Sequence, residues 1–328
     1  QPVKDVDIAT TALPAEVIRR CADANLRTVP TGIDHGTVTV IIDGEPFEVT
    51  TLRSDSEHDG RRAQVSFGRD WKVDAERRDF TINGLYATAD GTVIDLVGGL
   101  DDIASKTVRF IGDGEERIKE DYLRILRFFR FFAWYGHGRP DAAAIKAMVR
   151  LKDGINQLSA ERVWSELKKL LSAPDPTRAL LWMRQSGVLT QVLPESEKWG
   201  IDLIHGLVRA GHELEWPIDP MLRIEALVPP YDARMEGLAA RLRLSKAEGA
   251  RLIAWAKSGE AKPARTDKVL ALELYKGDRQ GVLDRLRLAV ASAREKGENK
   301  TVEALLKQLA FAESWQKPVF PLSGADML

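Results

Sequence analysis

The sequence predicts an α+β chain, with strands and helices mixed in the first third and helices alone afterwards. Three observations carry this expectation. The β-rich runs "TVTVIID" (37–43) and "PFEVTTL" (46–52) meet at the turn residues "GEP" and read as an antiparallel hairpin. From about Gly112 onward, apolar residues recur at helical spacing. Beyond Gly187 no segment alternates convincingly as a strand.

The elements follow in order. "DVDI" (5–8) opens the chain as a short strand, and "LPAEVIRRCADAN" (13–25) has helical spacing. Thr28 to Pro30 belong to a second short strand that precedes the hairpin. A charged stretch, "LRSDSEHDGRRAQVSFGRDW" (52–71), reads as a mobile loop, and "TVIDLV" (92–97) is a strand after the turn "ADG". "EERIKEDYLRILRFFRFFAWYG" (115–136) reads as one long helix, with Gly136 and Gly138 as terminators. "SAERVWSELKKLLSA" (159–173) starts at an N-cap serine, Ser159, with Glu161 in the first turn. "DPTRALLWMRQSGVL" (175–189) is a further helix ending near Gly187. Pro217, Pro220, Pro229 and Pro230 punctuate one boundary, and "KSGEAKPART" (257–266) reads as a hinge.

Composition narrows the function classes. At 328 residues, 44% hydrophobic and 30% charged, the chain is expected to be globular, with two or three domains. No apolar run approaches the roughly 20 residues that span a bilayer, so no membrane role is expected. Cys21 is the single cysteine, which excludes an internal disulfide framework and a multi-cysteine zinc site. It points to a reducing compartment, the cytoplasm. The net charge of −1 gives no global attraction to nucleic acid, so any such surface must arise from local clustering.

Four patterns carry chemistry. On a strand, Asp5 and Asp7 lie two apart and share a face. Two carboxylates that close repel unless a cation lies between them, and hard oxygen donors suit Mg²⁺. The competing reading is a solvated strand edge. Glu48, on the hairpin strand, faces opposite to Phe47 and Val49; it is either solvated or a third ligand from a neighbouring strand. In "AERRDFTINGLY" (75–86), Arg77 and Arg78 offer planar forks that match phosphate oxygens, or else a surface ion pair.

The fourth pattern is Asp121, Arg124 and Arg127, a slanting stripe at intervals of three; Arg130 falls about 180° from Asp121. Asp121 and Arg124 form an ordinary i,i+3 ion pair on the simpler reading. On the sharper one they read a base. Cytosine and adenine each present an amino donor beside a ring-nitrogen acceptor, which an Asp acceptor next to an Arg donor matches. Guanine and uracil would leave those groups unpaired, and unpaired buried polar groups discriminate strongly.

Taken in order, "DVDIAT", "HGTVTV", "FEVTTLR", "AERRDFTINGL", "DGTVIDLVGGLDDI", "ERIKEDYLRILRFFRF" and "SAERVWSELKKLL" closely resemble the class II tRNA nucleotidyltransferases and their bacterial poly(A) polymerase relatives. The likeness covers residues 1–171. It implies a polymerase β-like head over 1–115, a helical neck over 116–175 that selects the nucleotide, a helical body over 176–256 and an RNA-binding tail over 257–328. It implies Asp5, Asp7 and Glu48 as catalytic ligands of Mg²⁺. It implies Arg78, Asp121, Arg124, Arg127 and Arg130 as nucleotide-binding residues, the Asp121–Arg124 pair choosing CTP and ATP. The expected partner is tRNA, extended with C, C and A without a nucleic-acid template. A poly(A) polymerase, a CC-adding enzyme and a non-catalytic RNA-binding protein of the same fold are the alternatives. The family's Gly-Gly loop and its arginine upstream of the aspartate pair would precede Gln1, and "PVFPLSGADML" (318–328) reads as a motif cut short.

Overall fold

The computed structural model describes residues 6–55, 65–197, 199 and 201–318. They form two compact units, Gln1–Arg124 with His137–Ala147, and Ile125–Gly136 with Met148–Leu328.

The first unit opens with β1 (Asp7–Thr10), α1 (Pro14–Asp23), β2 (Arg27–Gly32), β3 (Thr37–Ile42) and β4 (Glu45–Thr51). The four strands make one sheet in the order β1-β4-β3-β2. The β3–β4 hairpin is the one the sequence predicts. It turns at Asp43 and Gly44, whose φ values of 51° and 87° are both left-handed. A two-residue hairpin turn of type I′ requires that at both central positions, and Asp-Gly supplies it at little cost. β1 pairs parallel to β4, Ile8 opposite Val49. Parallel neighbours need a crossover, and α1 lies on it, with Pro14 at its first turn, where the missing N–H costs nothing. α1 packs against β2, β3 and β4, and its Val17 is buried, as are Val38 and Val40 on β3.

Then come the hairpin β5 (Arg53–Asp55) and β6 (Val65–Phe67), α2 (Trp71–Glu76), the hairpin β7 (Leu85–Ala87) and β8 (Val93–Asp95), and α3 (Gly99–Ala104). Residues 56–64 of the expected mobile loop lie outside the described residues. Asp70 caps α2 by accepting from the Lys72 N–H at 2.8 Å. Asp95 accepts from the N–H groups of Val97, Gly98, Gly99 and Leu100, and those bonds hold its carboxyl below the usual carboxylate range. A Cβ on Gly99 would lie 2.4 Å from the Thr81 carbonyl oxygen, so only glycine lets α3 approach that turn.

α4 (Gly114–Glu120) and α5 (Leu123–Tyr135) replace the single helix expected over 115–136. The break falls at Asp121, whose backbone is extended (φ −155°, ψ 107°). Its carboxylate accepts from the Leu123 N–H at 3.0 Å and its carbonyl from the Arg124 N–H at 3.0 Å. Aspartate offers the backbone a local alternative to the helix ladder, and apolar periodicity cannot register that. The expected stripe from Asp121 to Arg127 is therefore not a stripe on one helix.

The remaining elements are helical: α6 (Ala142–Leu151), α7 (Ala160–Leu171), α8 (Thr177–Gln185), α9 (Val188–Val192), α10 (Asp202–Glu213), α11 (Pro220–Glu225), α12 (Asp232–Arg241), α13 (Lys246–Lys257), α14 (Asp267–Lys276), α15 (Arg279–Glu295) and α16 (Asn299–Ser314). Among the described residues no strand follows β8, as expected. α7 starts directly after Ser159, although that hydroxyl makes no cap hydrogen bond. In the second unit, one apolar cluster joins α14, α15 and α16 through Leu270, Leu286, Val290 and Leu305. No helix among the described residues is long and apolar enough to cross a membrane.

Glu225 on α11 is 1% exposed, and neither of its carboxylate oxygens has a hydrogen-bond partner among the described residues. Burial, reinforced by the neighbouring Asp284, pushes its carboxyl well above the usual range despite Arg251 nearby. A carboxyl raised in the folded state contributes stability below its unfolded pKa and loses it as pH rises towards the folded value. Glu225→Gln is therefore expected to melt at or above the wild type at pH 8, with the gap closing by pH 4–5. A variant that melts lower at pH 8 than at pH 5, relative to the wild type, contradicts this.

Candidate active site

The first sheet has two faces. Residues paired across strands share a face, so Ile8, Val49 and Val38 form an apolar row, continued by Phe47 and Val40. The alternate row is polar: Asp7 on β1 pairs with Glu48 on β4, which pairs with Thr39 on β3. Thr50 and Thr37 continue that face and share a 3.0 Å hydroxyl contact, and Thr39 meets Thr31 at 2.7 Å. Asp7 and Glu48 thus sit side by side on neighbouring parallel strands. Both are exposed, and neither carries a hydrogen bond or ion pair to a described residue. Adjacent carboxylates repel, and no hydrogen bond or ion pair from a described residue neutralises them; their oxygens are hard donors of the kind a divalent cation accepts. Asp5 lies outside the described residues, and among those described no group of three or more acidic, histidine or cysteine side chains is placed to hold a metal.

Around the Arg77–Arg78 turn, a residue that the sequence reading passed over organises the chemistry. Asp74 on α2 is 2% exposed. It accepts from the Arg53 N–H (2.9 Å), Arg77 Nε (2.9 Å), Arg78 Nη2 (3.1 Å) and the Tyr86 hydroxyl (2.6 Å). Burial works against its charge, but the Tyr86 and Arg53 hydrogen bonds and the Arg77 guanidinium hold its carboxyl below the usual range. Burial, with the bond to Asp74, pushes the Tyr86 hydroxyl up to about 12. Arg78 also donates to the Asn83 carbonyl at 3.0 Å and lies 5.1 Å over the Tyr86 ring, leaving its side chain about one-third exposed. Asp79 turns inward, accepting from the Phe80 N–H and Asn83 Nδ2.

Asp74→Ala would leave four donors around a buried gap, and breaking such a buried pairing costs about 3–5 kcal/mol. A carboxyl held low contributes stability above its unfolded pKa and loses it as pH falls through the folded one. The difference in melting temperature between Asp74→Ala and the wild type is therefore expected to be full at pH 7 and to shrink in acid below the ordinary carboxylate range. A constant difference down to pH 2 contradicts the assignment.

The nucleotide-reading pair of the sequence is placed differently from expectation. Arg124 Nη1 donates to the Arg117 carbonyl at 2.8 Å and to the Glu120 carboxylate. Arg117 in turn holds Glu120 with Nη1, at 2.7 and 2.9 Å. Its Nη2 donates to the carbonyls of Arg78, at 2.6 Å, and Arg77. The two stretches that carry Arg78 and Arg124 are thus linked within the first unit. Neither Arg117 nor Glu120 carried a distinct signal in the sequence: the local pairs of Glu120 with Arg117 and Arg124 look like ordinary helix ion pairs, and the carbonyls that Arg117 grips lie about 40 residues upstream. In the second unit, Arg130 Nε donates to Glu166 on α7 at 2.6 Å, with Arg127 Nη1 at 4.0 Å from the same carboxylate. Both guanidiniums lie over the Phe131 ring, at 4.2 and 5.6 Å.

A polar sheet face with two adjoining carboxylates and an arginine-bearing turn, both in the first unit, supply the kinds of groups a nucleotidyltransferase head uses. Residues 1–109 match the family model described as "Poly A polymerase head domain", and residues 140–199 match "Probable RNA and SrmB- binding site of polymerase A". The chain is 35% identical over 99% of its length to the mitochondrial CCA tRNA nucleotidyltransferase 1 of Mus musculus, covering 73% of that protein. It is 43% identical over 55% of its length to the CCA-adding enzyme of Pediococcus pentosaceus, covering 45% of it. Its structure matches the CTP complex of the Bacillus stearothermophilus CCA-adding enzyme with a TM-score of 0.71 at 28% identity, over 94% of this chain and 74% of that one. The chain belongs to the family of the CCA-adding tRNA nucleotidyltransferases, and its α+β class with a polymerase β-like head follows the resemblance read from the sequence. Members of that family generally use divalent metal ions, and Asp7 and Glu48 are donors of the kind such ions prefer.

Proposed function

We propose that this chain adds C, C and A to the 3′ end of tRNA, without a template, by nucleotidyl transfer from CTP and ATP. The observation that carries the reading is the pairing of Asp7 with Glu48 on one polar sheet face. Asp5, Asp7 and Glu48 would hold Mg²⁺, which when bound activates the RNA 3′-hydroxyl and neutralises the charge developing on the leaving pyrophosphate. The protein's own part is positioning and charge stabilisation. Arg78 supplies a fork to the triphosphate from a turn fixed by Asp74. Asp121 and Arg124 present an acceptor and a donor to the base, and Arg127 and Arg130 add positive charge for the nucleotide. A neck over 116–175, a body over 176–256 and a tail over 257–328 complete the chain, and the tail carries tRNA. Lys and Arg outnumber Asp and Glu between Lys257 and Lys317, which suits a phosphate backbone. A single cysteine suits a reducing compartment such as the cytoplasm.

The test supplies tRNA lacking its terminal CCA, Mg²⁺ and labelled nucleotides one at a time. Two C additions followed by one A are expected. Repeated A on any RNA would make the chain a poly(A) polymerase, C alone a CC-adding enzyme, and binding without incorporation an RNA-binding module.

A further inference from the structure

We infer that Arg117 is a positioning residue for nucleotide choice: a single side chain fixes the spacing between the Arg77–Arg78 turn and Arg124. This deepens the nucleotidyl-transfer reading and rests on it. Arg117 uses both ends of its fork. Nη2 gathers the Arg77 and Arg78 carbonyls, and Nη1 holds the Glu120 carboxylate at 2.7 and 2.9 Å. Its own carbonyl accepts from Arg124 Nη1 at 2.8 Å, and Glu120 accepts from the same nitrogen. Every atom that orients the Arg124 guanidinium in these bonds therefore belongs to Arg117 or to a carboxylate that Arg117 holds.

The network is partly shielded, with the two arginines more so than Glu120. The side chains of Arg117, Arg124 and Glu120 are 11%, 16% and 21% exposed. Charge-assisted bonds in such surroundings are short and directional, and the planar arginine fork spends little freedom in making several at once. The turn it grips carries Arg78, the phosphate-side residue, and the helix start it grips carries Arg124, the base-side residue. A nucleotide presents its phosphates and its base at a fixed separation. A protein that reads both has to hold its two readers at the matching distance, and Arg117 does so from the backbone of one to the side chain of the other. The ordinary structural role, an i,i+3 ion pair that only stabilises α4, accounts for the Glu120 contact but not for the two carbonyls.

Two variants test this, Arg117→Gln and Arg117→Lys. Glutamine keeps a donor and loses the charge. Lysine keeps the charge as a single point that cannot span the carbonyls and the carboxylate together. Misplacing a positioning group by about an ångström costs on the order of ten- to a hundredfold. Both folded variants are expected to lose that factor in the ratio of kcat/KM for CTP and ATP over UTP and GTP, with KM for the correct nucleotide raised. A purely structural role would lower the melting temperature and leave that ratio unchanged, with lysine restoring most of the loss. Wild-type selectivity in whichever variant folds overturns the inference. If the unmodified protein itself adds neither C nor A, it is the functional reading that fails.

Discussion

Asp7→Ala is expected to lower the rate of nucleotide incorporation by about 10³-fold or more while leaving tRNA binding and melting temperature close to wild type. The magnitude comes from the role proposed for the pair. A metal at a phosphoryl centre supplies several kcal/mol of charge stabilisation, and each 1.4 kcal/mol is about tenfold in rate. The selectivity of the effect comes from the surroundings. Asp7 is exposed and makes no hydrogen bond or ion pair to a described residue, so its removal leaves nothing buried without a partner. Removing one member of a like-charged pair even relieves repulsion with Glu48. A slight gain in melting temperature alongside lost activity is therefore the signature of a ligand position. Single-turnover incorporation of labelled CMP into tRNA ending before its CCA measures the rate, and filter binding of the same tRNA supplies the control. Near-normal rates would remove Asp7 from the metal site.

Arg124→Ala is expected to collapse the preference for CTP and ATP over GTP and UTP. A site built to hydrogen-bond one base edge rejects others because its own polar groups would go unpaired, a discrimination of about 10⁴ in favourable cases. Arg124 is held by the Glu120 carboxylate and the Arg117 carbonyl, so its guanidinium is oriented before any nucleotide arrives. Alanine leaves Glu120 with Arg117 as its remaining guanidinium partner in that network, and the site keeps its acceptors while losing the donor. The loss should exceed about 10²-fold in the ratio of kcat/KM values, measured with each of the four nucleotides in turn. Unchanged selectivity would mean that Arg124 only staples α4 to the start of α5.

Local pattern carries some of this architecture and none of the rest. The β3–β4 hairpin was legible because Asp43-Gly44 is a turn signal by itself and the flanking residues alternate. The helices after Gly112 were legible because their apolar period persists for several turns. The parallel pairing of β1 with β4 was not, since nothing in four residues specifies a partner about 40 positions away; Asp7 and Glu48 were brought together only by reading Glu48 as a third ligand from a neighbouring strand and by the family resemblance. The break at Asp121 was hidden for a different reason. Apolar spacing continues through it from Ile118 to Leu123, while the residue that interrupts the helix does so with a polar side chain that the spacing ignores. Asp74 and Arg117 give no distinct signal because their local partners sit at ordinary helix ion-pair spacing, while their other partners are main-chain groups or residues distant in sequence. A charged residue in a short amphipathic stretch looks the same whether it is solvated or buried as a hub.

The two-faced first sheet ties accuracy of folding to competence in chemistry. Successive residues of β1 alternate between the polar row and the valine row. Sliding β1 by a single residue along β4 would turn Asp7 towards the valines and Ile8 towards the polar side. A chain assembled that way would lose the pairing of Asp7 with Glu48 yet forfeit little buried apolar surface, because Ile8 is itself 40% exposed. Burial of Val38 and Val40 pins β3, whereas β1 keeps its register, and with it the carboxylate pair, through its backbone ladder to β4. Changes that weaken the β1–β4 ladder should therefore yield a mixture of fully active and dead molecules of nearly equal stability, rather than a uniform population with diminished turnover.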